Sequence, residues 1–99
     1  MPWTGNSFPF TEAGITANAP TRSGVYMIWG TGGTNSVVYV GETNDLQRRL
    51  LEHRRETNTC IARQNPATCG FELVESVQRV QRQNQLIQEF RPTCNQMLG

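Results

Sequence analysis

An arginine and a histidine one helical turn apart are the residues best placed to do chemistry. Arg49 and His53 flank the apolar side that Leu46 and Leu50 give to a predicted helix, so both should lie where that helix meets a sheet. An arginine at the edge of a core needs an anionic partner, whereas a lone histidine is more often structural than catalytic. The partner is either a bound phosphate or one of the carboxylates nearby in the sequence, which are Glu42, Asp45 and Glu52.

Two tyrosines lie on the segments that precede this helix. Tyr26 and Tyr39 are thirteen residues apart on two β-rich runs, so they could project from the same face of a hairpin. Aromatic pairs across strands are ordinary packing, and this spacing alone does not assign them a function.

A glutamine interrupts the apolar face of the last predicted helix, which covers residues 76–90. The apolar stripe of that helix contains Val77, Val80, Leu86, Ile87 and Phe90. Gln83 lies near the middle of the stripe, so its amide should be buried or half-buried. A buried amide needs partners. It is therefore either a core glutamine bonded to backbone or a site residue directed into a cleft.

The basic residues are unusual in type. All nine are arginine, and the formal net charge is only +1. Arginine grips phosphate with two parallel hydrogen bonds, so this usage suits a phosphate partner, although a GC-rich genome produces the same bias. The near-neutral charge argues against long non-specific tracking along DNA, which depends on many phosphate contacts.

The elements that position these residues form one small α+β domain. Residues 24–29 and 37–40 predict a hairpin around a Gly/Asn-rich connection, and residues 70–74 a third strand. The predicted helices are a short one at 11–17 capped by Thr11, a long one from the cap Asn44 to about Glu56 with Gln47 in a capping box, a short one at 58–61, and the last helix at 76–90. The result is a small central three-stranded antiparallel sheet flanked by helices. Residues 1–22 are interpreted as an N-terminal extension and residues 23–99 as the domain.

The cysteines and the absence of long apolar runs predict a cytoplasmic protein. Cys60, Cys69 and Cys94 are odd in number and form no CxxC pair, so we expect free, partly buried thiols rather than disulfides or a zinc site. No apolar run approaches the roughly 20 residues needed to cross a bilayer. The first residues also lack the features of a signal peptide.

Taken together, these residues resemble the GIY-YIG endonuclease family. The matching elements are Gly24-Val25-Tyr26, Tyr39-Val40-Gly41, Arg49 ten residues after Tyr39, His53, and the closing pattern Leu86-Ile87, Pro92 and Asn95. The resemblance covers about residues 23–95. It implies an α+β fold and hydrolysis of DNA phosphodiester bonds with one divalent ion, Mg²⁺ or Mn²⁺.

The resemblance also implies a role for each matching residue. Tyr26 corresponds to the general base, assisted by Tyr39, and Arg49 corresponds to the residue that steadies the scissile phosphate. His53 supports or shares the base role, and Asn95 forms hydrogen bonds within the site. A tyrosine is a poor base at neutral pH, so we expect Arg49 and the metal ion to depress its pKa. The nearby Arg48, Arg54 and Arg55 are candidates for contacts with DNA phosphates.

The match fails at the metal ligand. Twelve residues before Asn95 the family has a glutamate, and this chain has Gln83. A neutral amide is a poor ligand for a hard cation, so we expect weak or absent metal binding and weak or absent cleavage. Neither Glu75 nor Glu89 is placed to substitute for the missing carboxylate. The glutamine is either an engineered isostere or the mark of a natural relic kept for binding, and the presence of the other motif residues favours the first.

The alternative to a nuclease is a non-catalytic nucleic-acid-binding module on the same fold. A third possibility is an interaction domain in which the motif residues only pack. Substrate specificity in this family often comes from a second domain. We therefore expect either a homodimer or an additional DNA-binding domain in a longer parent protein.

Overall fold

Four strands and four helices make up the part of the chain that the computed structural model describes, residues 3–31 and 36–95. The strands are β1 (Phe8–Pro9), β2 (Gly24–Trp29), β3 (Val37–Thr43) and β4 (Thr68–Leu73). The helices are α1 (Glu12–Asn18), α2 (Leu46–Arg55), α3 (Cys60–Arg63) and α4 (Arg79–Phe90), with a 3₁₀ turn (Ser76–Gln78) before α4. Within these ranges no helix has the length and apolar character needed to span a membrane.

The sheet is antiparallel throughout and has the strand order β1-β4-β2-β3. The predicted α+β class is confirmed, but the sheet has four strands rather than three. The additional strand is β1, which pairs Phe8 with Cys69 and Pro9 with Thr68. A two-residue strand has no alternation to detect, so the sequence pattern did not reveal it.

The hairpin of β2 and β3 sets the register of the two tyrosines. Tyr26 lies opposite Gly41 and Ile28 lies opposite Tyr39. Because side chains alternate along a strand, this register places both tyrosines on one face of the sheet. Part of the Gly/Asn-rich connection, residues 32–35, lies outside the described residues.

Each face of the sheet carries its own core. On the face of the tyrosines, α1 and α2 cover the cluster Phe8, Phe10, Ile15, Ala19, Tyr26, Ile28, Val38, Leu46, Leu50, Ile61, Cys69 and Cys94. On the opposite face, α4 covers the cluster Val25, Met27, Trp29, Val37, Val40 and Leu86. The segment before residue 24 therefore contributes to the same core as α2.

Helix α2 begins one residue later than predicted. Its cap is Asp45, whose carboxylate accepts a hydrogen bond from the Arg48 backbone N–H at 3.0 Å, and not Asn44. Gln47 does not complete a capping box. Its amide donates to the Ala19 carbonyl at 3.0 Å and so ties α2 to the end of α1.

Strand β2 has the predicted bounds, and several of the other boundaries shift by one to three residues. The cap of α1 is Thr11, as predicted, and its hydroxyl accepts from the Gly14 N–H at 2.9 Å. Helix α3 is capped by Thr59 and begins at Cys60, later than the predicted start at residue 58. The third predicted strand is β4, which begins at residue 68 rather than 70.

Helix α4 presents a different face to the sheet than its valines predict. Val77 is 89% exposed and Val80 is 56% exposed. Arg79 and Arg82 occupy the inward positions instead, and their partners on the sheet are Glu42 and Glu72. The prediction treats residues 76–90 as one continuous α-helix, whereas the regular helix starts only after a 3₁₀ turn. The side of α4 that faces the sheet is therefore set by the apolar residues of its C-terminal half and by ion pairs to the sheet.

The expectation of three free thiols is wrong for two of the cysteines. Cys60 and Cys94 form a disulfide across 34 positions of sequence, and Cys69 is free and buried. Burial raises the pKa of the Cys69 thiol to about 12. The pairing could not be read from cysteine spacing, because only the fold brings α3 beside the segment that follows α4. The described residues contain no His, Cys, Asp and Glu grouping of three or more that could hold a metal ion.

Candidate active site

Three aromatic side chains meet on the α2 face of the sheet. The rings of Tyr26 and Tyr39 have centroids 6.0 Å apart, and the ring of His53 lies 5.5 Å from the first and 5.3 Å from the second. Tyr26 and His53 are buried, whereas Tyr39 is half-buried. The helix α2 therefore delivers its histidine directly onto the tyrosine pair.

Gly41 makes room for this arrangement. It lies opposite Tyr26 in the hairpin, and a Cβ atom at this position would overlap the hydroxyl end of the Tyr26 ring. Any larger residue would push the phenol away from its present position. Position 41 therefore needs a glycine, because the Tyr26 ring occupies the space that a side chain would fill.

The Tyr26 hydroxyl and His53 Nε2 are hydrogen-bonded at 2.7 Å inside the protein. Burial, reinforced by the positive charge of Arg49, lowers the pKa of His53 to about 4. The imidazole is therefore neutral at pH 7, and one of its nitrogens is an acceptor. Which nitrogen carries the proton decides whether Tyr26 donates or accepts.

The pKa of Tyr26 moves in the opposite direction from the expectation. Burial raises it above its ordinary value, Tyr39 adds to the rise, and the nearby Arg49 guanidinium only opposes it in part. Desolvation of the phenolate outweighs the favourable charge of the arginine. In this structure Tyr26 is a protonated phenol at neutral pH.

Arg49 has a protein partner that is easily displaced. Its Nη1 atom lies 3.0 Å from Glu52 Oε1, and the two side chains are 38% and 49% exposed. Of the carboxylates that the sequence left open as partners, Glu52 is the one that pairs with it. Exposed pairs of this kind contribute only about 0–1 kcal/mol. A phosphate group could therefore take the place of Glu52 at little cost.

Asn95 lies against the backbone of β3. Its Oδ1 accepts from the Val40 N–H at 2.7 Å, and its Nδ2 donates to the Val40 carbonyl at 2.8 Å. The preceding Cys94 N–H donates to the Val38 carbonyl at 2.8 Å. Both ends of the buried amide are occupied, so the residue holds the strand that carries Tyr39 in place.

Gln83 lies on α4, which packs on the other face of the sheet from the aromatic cluster. It is half-buried, in agreement with the prediction. Among the described residues no hydrogen bond, ion pair or ring contact joins it to the tyrosines, Arg49 or His53. The structure thus brings four of the six predicted residues together, holds Asn95 against the backbone of β3 and leaves Gln83 on a separate element.

The surroundings of Gln83 do not fit a divalent cation. The side chain is a neutral amide, whereas hard cations require carboxylate and other oxygen ligands. Arg79, one helical turn earlier, places a guanidinium 3.8 Å from Glu42, and both side chains are largely buried. A positive charge thus occupies the α4 surface next to position 83, and the carboxylate it faces is already paired.

The arginines predicted to contact DNA lie on α2 and are exposed. Arg48 donates to the Asn44 side chain at 3.3 Å, and Arg55 pairs with Glu12 of α1 at 3.3 Å. Arg54 lines a cavity of about 630 Å³ together with His53 and other residues. Arg49 lies on the side of the aromatic cluster instead.

The sequence prediction missed Glu56. Its Oε1 atom lies 3.4 Å from His53 Nδ1, and the residue also lines the cavity beside Arg54. The available signal was the spacing, because residues three apart on a helix are neighbours. From the sequence pattern, Glu56 is only the approximate end of the predicted helix.

Comparisons with known proteins bear on the family and the fold of the chain. The sequence model of the GIY-YIG catalytic domain matches residues 22–95. A search of curated protein sequences found no significant match. Among solved structures, the chain is similar to the GIY-YIG N-terminal endonuclease domain of UvrC from Thermotoga maritima, a point mutant bound to its catalytic divalent cation. The identity is 21%, the match covers 80% of this chain and 91% of that one, and the TM-score is 0.62.

Proposed function

The chain belongs to the GIY-YIG family. On that basis we propose that it is an endonuclease that hydrolyses DNA phosphodiester bonds, and that its activity is weak or absent while Gln83 is present. The observation that supports this most directly is the buried hydrogen bond between Tyr26 and His53, with Arg49 beside it. A proton relay next to a displaceable guanidinium is what hydrolysis of a phosphodiester requires.

Arg49 is proposed to hold the scissile phosphate. Its guanidinium is partly exposed, and its present partner is an exposed carboxylate. A phosphodiester would exchange with Glu52 and receive two parallel hydrogen bonds. The same charge would stabilise the additional negative charge that develops on the phosphate oxygens during attack.

Tyr26 and His53 are proposed to accept the proton of the attacking water. As the water oxygen bonds to phosphorus, its proton passes to the Tyr26 oxygen while the Tyr26 proton passes to His53 Nε2. The bond from phosphorus to the leaving oxygen breaks, and that oxygen takes a proton from solvent. A neutral imidazole can take part at pH 7 because burial keeps His53 unprotonated.

The chain is proposed to bind Mg²⁺ or Mn²⁺ weakly or not at all, since an amide and a neighbouring guanidinium flank position 83. A bound divalent cation would neutralise charge on the phosphate, a contribution that the steps above lack while Gln83 is present. The test is Gln83→Glu, which should gain divalent-cation binding by calorimetry and cleave DNA in the presence of Mg²⁺ or Mn²⁺. Gln88→Glu, an exposed position on the same helix, is the charge-matched control and should gain neither property.

Failure of Gln83→Glu both to bind a divalent cation and to cut duplex, single-stranded or branched DNA would contradict the nuclease assignment. Cation binding without cleavage would contradict only the proposed proton relay through Tyr26 and His53. Cleavage by the unmodified chain at the rate of the variant would contradict the role given to position 83.

A second candidate, a non-catalytic nucleic-acid-binding module, is favoured by the missing carboxylate and by the exposed Arg48 and Arg54 on α2. It predicts salt-dependent DNA binding that is equal in the chain and in Gln83→Glu. Replacing Arg48 and Arg54 with alanine should reduce the slope of log affinity against log salt by about 1–2. An unchanged slope would exclude this helix as the binding surface.

The partner and location proposals follow from the same assignment. A 99-residue chain has little room for sequence readout, so we propose a homodimer or a further DNA-binding domain, which sedimentation analysis of the chain with and without DNA would test. A cytoplasmic location, which free thiols would favour, remains a proposal that the Cys60–Cys94 disulfide does not support. Thiol trapping in cells tests it, because cytoplasmic Cys60 and Cys94 should be largely reduced.

A further inference from the structure

The second nitrogen of His53 is buried next to a carboxylate. Nδ1 has no hydrogen-bond partner among the residues that the structure describes, and Glu56 Oε1 lies 3.4 Å away from it. The other nitrogen, Nε2, is already engaged with Tyr26 at 2.7 Å. His53 therefore lies between a phenol on one side and a carboxylate on the other.

We propose that Glu56 is a positioning residue that fixes His53 in the tautomer carrying its proton on Nδ1. In that tautomer the N–H lies on the side of the carboxylate, 3.4 Å from its Oε1 and not aligned into a hydrogen bond, and the Nε2 lone pair accepts the Tyr26 hydroxyl. In the other tautomer the Nδ1 lone pair would face a negative oxygen, and Tyr26 would have to accept. The carboxylate thus sets the direction of the hydrogen bond at the far side of the ring.

The placement of Glu56 supports this role. It is the residue that ends α2, and its backbone N–H donates to the Glu52 carbonyl at 3.2 Å, which holds it one turn beyond His53. Its side chain is 45% exposed, whereas the histidine side chain is only 4% exposed.

The other groups facing His53 do not select this tautomer. Tyr26 of β2 and Tyr39 of β3 contact the ring, and the charge of Arg49 opposes protonation. Glu52 acts on the ring only through its charge and pairs with the arginine. Among the described residues, Glu56 is the carboxylate in ion-pair range of Nδ1.

The consequence for catalysis rests on the proposed function. When the Tyr26 proton moves to Nε2, its O–H bond breaks, an N–H bond forms, and the ring becomes an imidazolium with both nitrogens protonated. Glu56 would then face a cation across Nδ1 and stabilise it. The arrangement makes a linear chain of phenol, imidazole and carboxylate.

The test uses ¹⁵N-labelled protein, in which His53 is the only histidine and its ring nitrogens are therefore unambiguous. Long-range ¹H–¹⁵N spectra at pH 7 should show a protonated Nδ1 and an unprotonated Nε2. In Glu56→Ala the ratio of the Nδ1–H to the Nε2–H form should fall about tenfold. Glu56→Gln, which keeps a neutral acceptor, should give an intermediate ratio. Glu12→Gln removes an exposed carboxylate elsewhere and should leave the ratio unchanged.

A protonated Nε2 as the main form in the unmodified chain would overturn the proposal, whether or not any variant folds. So would an unchanged ratio in a folded Glu56→Ala. Neither measurement needs cleavage. A silent Gln83→Glu variant would therefore contradict the proposed function without affecting the tautomer result, and the reverse also holds.

Discussion

Breaking the Cys60–Cys94 disulfide is expected to be the largest single perturbation of this domain. The two cysteines are 34 positions apart, so reduction frees a loop of that length in the unfolded chain. The chain-entropy relation for a loop of this size gives about 4 kcal/mol of lost stability. For a domain of this length, 4 kcal/mol corresponds to a fall in Tm of roughly 15–30 °C.

The loss should also reach the candidate site. Cys94 immediately precedes Asn95, whose amide holds the Val40 backbone through two buried hydrogen bonds. Without the covalent link to α3, this segment is held by its hydrogen bonds to β3 and by the packing of Pro92 and Cys94 in the interior. Local opening at Val40 should therefore occur before global unfolding, and amide hydrogen exchange at Val40 should accelerate on reduction.

The assay is urea unfolding followed by circular dichroism, with and without a phosphine reductant. The matched control is the double variant Cys60→Ala with Cys94→Ala, which should resemble the reduced protein and ignore the reductant. Cys69 remains a free thiol in every sample. The reasoning is refuted if alkylation of the native, unreduced protein finds three free thiols, or if the unfolding midpoint is the same under both conditions.

Three further outcomes are expected. Gly41→Ala should destabilise the fold by about 1–3 kcal/mol, because its Cβ overlaps Tyr26; a urea midpoint equal to that of the parent would contradict the packing. Asn95→Ala removes two buried hydrogen bonds to Val40 and should cost about 2–4 kcal/mol in urea unfolding; a change under about 0.5 kcal/mol, the usual effect of a surface substitution, would contradict the role of Asn95 in holding β3. Because the pKa of His53 is about 4 in the fold against an ordinary 6.5, the unfolded chain takes up the proton first as pH falls. Stability should therefore fall between about pH 6.5 and 4 by on the order of 3 kcal/mol; His53→Gln should lose this part of the pH dependence, and an identical pH profile in that variant would assign it to other groups.

The parts of the fold that local signals encode could be predicted. The β-rich runs around Tyr26 and Tyr39 predicted the hairpin, and its register brings the two rings onto one face. The helical spacing of Arg49 and His53 placed them at the sheet, where they meet Tyr26. Each of these inferences needs only residues close in sequence and the alternation or periodicity of one element.

Other features depended on partners far apart in sequence. The phase of α4 followed from Arg79 and Arg82 meeting acidic residues on two strands, and not from the valines of its first turn. The pairing of Cys60 with Cys94 required α3 and the C-terminal segment to meet at β3. No local pattern encodes such contacts, because their free energy is gained only after the loops between them have closed.

By itself, the sequence determined which residues this protein has for phosphodiester chemistry and which carboxylate it lacks. The tertiary structure decided what each of them can do. Burial raises the pKa of Tyr26 and lowers that of His53, so the phenol is protonated and the imidazole is neutral at pH 7. The Val40 backbone on β3 occupies both the oxygen and the nitrogen of the Asn95 amide. Protonation state and hydrogen-bond direction are set by desolvation and by neighbours from distant segments, and these exist only once the chain has folded.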